Sequence, residues 1–331
     1  MRNNRKFYII FALISLICIT ILLIYFINTN SIIQDEYKDI LKISKYNNPL
    51  VPTGFKKVES ERASWEIAGG VPKGWSKGLV IEDEIGNQFV WIPVNVDNSQ
   101  YIVKLSENIW DDSLPSGIND EYNQIKRNGG FYISRYEAGV SDEMQLKLTE
   151  INNISNNVIG KPVSKPGVRP WNYISYKQAK ENAQSMYSNE YIQSGLMTYS
   201  QWNCINLWLD SWGYSKGGTV QDWGYFKYGN FLGKDTGFAG LYSIDNGISY
   251  LYGDNMAEKP YRAILSSGAS QKYFTNNIYD IYGNLSELTT RYGKGYCTVT
   301  GGDYNNVSND WITQYVEPSS RIGFRVVIYL K

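Results

Sequence analysis

Asp280-Ile281-Tyr282-Gly283-Asn284-Leu285-Ser286-Glu287-Leu288 is the stretch on which the reading of this chain turns. Asp280, Asn284 and Glu287 bracket a glycine that permits a tight turn, so several oxygens can converge on one point. An all-oxygen ligand set suits Ca²⁺, yet the D-x-[DN]-x-[DN]-G order of an EF-hand is absent. The competing reading is an Asx turn whose side chains cap local backbone.

Upstream of this run lie two helices with their own start signals. Ser175 and Gln178 have capping-box spacing, and Tyr176, Ala179, Ala183, Met186 and Tyr187 then recur on one helical face. Thr198 and Gln201 repeat the box, and Trp202, Ile205, Trp208, Leu209 and Trp212 make a heavy apolar stripe. Rings stacked on one helical face read as core. Further upstream, Leu79 to Ile81 and Gln88 to Ile92 flank Glu84-Ile85-Gly86-Asn87 and read as a hairpin. Phe131 to Tyr136 alternates as a strand, and Phe324 to Leu330 (FRVVIYL) closes the chain as one strong strand. Between the second helix and the central run, residues 213–275 hold 11 Gly and no helical or strand period. A loop region of that length is functional or packed by its own side chains. No repeat or linker divides the chain after Gly54.

Composition narrows the chemistry. Lys plus Arg number 32 and Asp plus Glu number 32, which gives no electrostatic argument for nucleic acid. There are no histidines, which excludes Ser-His-Asp and Cys-His catalysis, two-histidine iron sites and the usual catalytic zinc. Phosphate-loop, nucleophile-elbow and C-x-x-C patterns are also missing. Asp111-Asp112 reads as a solvated pair.

The N-terminus reads as a membrane anchor. Phe7 to Ile27 are 21 uncharged residues, about 31 Å of helix, which matches a bilayer core. Arg2, Arg5 and Lys6 precede the run and no basic residue follows until Lys38, so residues 1–6 belong in the cytoplasm and the rest outside. A cleaved signal peptide is the rival reading and a buried core helix a third; the run is long, and NTNSII offers no Ala-x-Ala site. The organisation expected is a cytoplasmic tail 1–6, a signal anchor 7–27, a juxtamembrane tether 28–53 with a short helix begun by Ser31 and Gln34, and an exported domain 54–331. That places the protein at a bacterial cell surface as a single-pass membrane protein. Cys204 and Cys297, 93 positions apart, are the exported cysteines; two separate buried thiols are favoured over a disulfide.

The motifs also resemble a known family. Asp280…Gly283-Asn284-Leu285-Ser286-Glu287-Leu288 is similar to the D-x-x-G-N-V-x-E-W signature of the formylglycine-generating enzyme (sulfatase-modifying factor) family. Leu196-Met-Thr198-Tyr-Ser-Gln-Trp202 resembles its L-P-T-E-A-E-W helix start, and Pro170 to Tyr187 the helix before it. Phe89 to Pro93 and Phe131 to Glu137 resemble its opening strands. Gly301-Gly302-Asp303 stands where the family has R-G-G-S, and Arg321-Ile-Gly323-Phe324-Arg325 where it has R-x-G-F-R. The set keeps the family's order over residues 79–331. It implies a C-type-lectin-like α+β fold, with two helices on antiparallel sheets, long loops, and first and last strands close together. It also implies Ca²⁺ held by Asn284 and Glu287 with backbone around Leu285.

The departures bear on function. The copper-dependent members carry a cysteine pair after R-G-G-S, where a soft thiolate pair suits Cu(I). The stretch DYNNVSNDWITQYVEPSSR that follows Gly302 has none, so no copper is expected. The related iron branch needs histidines. Leu288 replaces the signature Trp and Thr300 the Arg. The expectation is a non-catalytic domain that recognises an extracellular protein or glycan. The family's binding members place ligand residues in this C-terminal stretch, which assigns Tyr304, Asn305, Asn306, Trp311 and Tyr315 to a ligand surface, with Asn309 nearby. A packed scaffold loop is the competing reading. The alternative function is an oxidoreductase of the formylglycine-generating type with Cys204 and Cys297 regrouped. A binding face should leave at least two of Tyr304, Trp311 and Tyr315 partly exposed on one side, while Arg325 and Trp202 are buried.

Overall fold

The computed structural model describes residues 49–59, 64–68, 71–94, 121–141, 160–212, 242–245, 248–251, 267–268, 274–290, 297–303, 311–313 and 315–331, with Ile19 and Thr20. The chain divides into two compact units, Met1–Lys42 and Ile43–Lys331. In the first, Ile19 and Thr20 are helical; the rest of the Phe7 to Ile27 run and the Ser31–Gln34 box lie outside the described residues. Among the described residues no helix is long and apolar enough to cross a membrane.

The second unit opens with β1 (Phe55–Val58) and the short strands β2 (Ile67–Ala68) and β3 (Val71–Pro72). The expected hairpin forms from β4 (Val80–Asp83) and β5 (Gln88–Pro93). Its turn is closed by Asp83 Oδ1, which accepts from the backbone N–H of Ile85 at 3.1 Å and Asn87 at 2.7 Å. Gly86 takes φ +88°, which a side chain would resist. A helix that the pattern of apolar residues did not announce, α1 (Glu121–Asn128), then leads into β6 (Gly130–Ser134).

Both capping boxes are made as their spacing required. Ser175 starts α2 (Tyr176–Met186) and exchanges bonds with Gln178. After β7 (Ile192–Leu196), Thr198 Oγ1 accepts from Gln201 N–H at 3.0 Å and Gln201 Oε1 from Thr198 N–H at 2.9 Å, starting α3 (Tyr199–Trp212). Trp202, Ile205, Trp208 and Leu209 of α3 are buried with Val90, Ile92, Phe131, Ile133 and Val327 of the sheet beneath. This is the main core, and Trp202 and Trp208 of the stripe are part of it; the Trp212 side chain lies outside the described residues.

Residues 213–275 differ from the strandless loop expected. β8 (Tyr242–Asp245) and β9 (Ile248–Leu251) form a hairpin there, and β10 (Phe274–Thr275) pairs with β11 (Ile278–Tyr279) just beyond. β12 (Ser286–Thr290), β13 (Cys297–Thr300), β14 (Trp311–Thr313), β15 (Ile322–Phe324) and β16 (Val326–Leu330) complete the unit. The larger sheet runs β1-β4-β5-β6-β16-β7 and the second β14-β13-β12-β15. The fold is therefore mixed α+β with few helices and antiparallel sheets. One ladder departs from that expectation, since β12 and β15 are parallel.

The closing run also differs from the single strand expected. It breaks at Arg325, so that Ile322–Phe324 belongs to the second sheet and Val326–Leu330 to the first. The reason is the side chain at the break, which is a charge turned into the seam between the sheets. The first and last strands share the larger sheet, with β4, β5 and β6 between them.

Candidate functional site

The central run is a succession of left-handed turns ending in a strand. Asp280, Gly283 and Asn284 have φ of +51°, +78° and +59°, conformations that Gly, Asn and Asp tolerate. The turns deliver Glu287 to the second position of β12, where Thr300 of β13 faces it on one side and Gly323 of β15 on the other. Thr300, at the position of the family's Arg, donates its hydroxyl to Glu287 O at 3.3 Å. Leu288, at the position of the Trp, is buried.

Glu287 meets Arg325, whose Nε lies 2.8 Å from Glu287 Oε1 with both side chains fully buried. The guanidinium spends its remaining donors on carbonyls: Nη2 to Tyr279 O at 2.6 Å and Asp280 O at 2.7 Å, and Nη1 to Ser134 O at 3.4 Å. Glu137, just past β6, accepts from Asn284 Nδ2 at 2.5 Å and from Leu285 N–H at 2.9 Å. Asp280 Oδ2 accepts from Gly268 N–H at 3.1 Å. Three buried carboxylates and one guanidinium thus tie β6, the 280–288 run and the β15–β16 junction together.

Burial governs their protonation. It pushes Glu287 up to about 8 even though Arg325 pulls the other way. It pushes Asp280 up to about 7, against the Gly268 N–H and Arg325. Glu137 rises well above the ordinary carboxylate range, first through burial and then through the charge of Asp280. The fully buried guanidinium of Arg325 sits among these three acids.

The donor set for Ca²⁺ is engaged inside the protein. The Asn284 amide is turned to Glu137, and the Glu287 carboxylate carries a guanidinium at 2.8 Å, where a bound cation would be repelled. Among the described residues no group of three or more Cys, Asp or Glu is disposed to hold a metal ion. Glu287 Oε2, which has no hydrogen-bond partner among the described residues, faces Gly301, where an added Cβ would collide with it. As arranged here, these residues fit an internal ion pair better than a cation site.

Cys204 on α3 and Cys297 on β13 are both buried, and no disulfide joins them. Cys297 Sγ lies 3.6 Å from Thr313 O, and burial pushes its thiol up to about 11. A thiol in that state is a poor nucleophile and a poor copper ligand.

Of the ligand residues assigned from the sequence, Tyr304, Asn305 and Asn306 lie outside the described residues, as does Asn309. Trp311 opens β14 opposite Val299, and its side chain too lies outside the described residues. Tyr315 is 68% exposed. Val316 beside it is buried, and the nearby charge of Glu317 raises the Tyr315 phenol. Arg325 and Trp202 are buried, as expected. The sequence reading passed over Glu137 as a site residue. Its signal was an acid at the end of the apolar run Phe131 to Ser134, followed by Ala138 and Gly139.

The fold and site define a mixed α+β domain closed around a buried ionic cluster. No protein-family model matches the chain, and no curated protein matches it. Among solved structures it is similar to PvdO from Pseudomonas aeruginosa, at 13% identity and a TM-score of 0.40, over 76% of this chain and 98% of that one. It is also similar to Treponema denticola variable protein 1, at 12% identity and a TM-score of 0.33, over 84% of this chain and 99% of that one.

Proposed function

We propose that this is a membrane-anchored extracellular domain of the sulfatase-modifying-factor-like, C-type-lectin-like type, which recognises a ligand and catalyses no reaction. The observation that carries the reading is where the chemistry-bearing side chains lie. Glu137, Asp280, Glu287, Arg325, Cys204 and Cys297 are all buried and bonded or packed within the fold, while Tyr315 stands out from the C-terminal stretch. The acids are buried, and the raised Cys297 thiol disfavours the thiolate from which copper chemistry starts. The partner is a protein or glycan outside the cell, reached from a membrane held through residues 7–27, and the balanced charge gives no electrostatic argument for nucleic acid.

The test is made on the full chain in membranes. Supplied with Cu(I) and a Cys-containing sulfatase peptide, it should leave the cysteine unconverted. Turnover that Cys297→Ser abolishes would overturn the reading in favour of the oxidoreductase.

A further inference from the structure

We draw no further inference here: the strongest candidate, the exposed aliphatic surface where the second unit begins, Leu50 before β1 and Ile67 on the β2–β3 hairpin, carries none because nothing in the structure shows what covers it.

Discussion

Asp280→Asn should make the domain more stable at pH 8 and leave it nearly unchanged near pH 3, below the ordinary carboxyl value. Asn tolerates the φ of +51° at this position and its carbonyl oxygen can still accept from Gly268 N–H, so the change removes a titration and little else. Asp280 holds its proton up to about pH 7 when folded, against an ordinary value of 3.8, because burial penalises the anion. Glu287 does so up to about 8 against 4.5. A carboxyl raised in the fold contributes stability that is complete below its ordinary pKa and is lost as pH rises through the folded value. The window is therefore about pH 4 to 8. One such proton changes stability by about 1.4 kcal/mol per pH unit, so Asp280 alone should cost roughly 3–4 kcal/mol between pH 4 and 7. At about 2–4 °C per kcal/mol, the wild-type melting temperature should fall by roughly 6–15 °C over that interval. Glu82, lowered chiefly by its bond from Gln88, acts in the opposite sense around and below its ordinary 4.5, and so offsets only the acid edge of the window. Thermal melts of both proteins at half-unit pH steps decide the matter. A wild-type melting temperature that is flat or rising from pH 5 to 7.5, or an Asp280→Asn loss equal at every pH, would refute the account of the cluster.

Two further outcomes follow from the same residues. Arg325→Met should cost about 3–5 kcal/mol in denaturant unfolding, because it leaves buried Glu287 Oε1 and three buried carbonyls without their donor; a loss under about 1 kcal/mol would mean that these acceptors are solvated. Titrating CaCl₂ to millimolar levels should leave the melting temperature unmoved, since Glu287 is bonded to Arg325, whereas a rise that disappears in Glu287→Ala would restore the cation reading.

Local signals were the legible part of the sequence. Ser175 with Gln178 and Thr198 with Gln201 announced their helices because a capping box is a contact between residues three apart, complete within the sequence window. The β4–β5 turn was readable for the same reason, through Gly86 and its neighbours. The tryptophan stripe of α3 was read as core because period and hydrophobicity agreed. The failures are long-range. Nothing local separates Phe324 from Val326, yet Arg325 breaks the strand between them, because its partners Glu287, Tyr279 and Ser134 come from elsewhere in the chain. The parallel β12–β15 ladder escaped notice because strand direction is set by the whole path between strands. At the site, Asp280, Asn284 and Glu287 were singled out as oxygens that turns could bring together. Spacing cannot tell whether such oxygens face a cation, a guanidinium or one another's donors. That distinction lies in Glu137 and Arg325, one far upstream and one downstream, and it turns a ligand set into an internal tie.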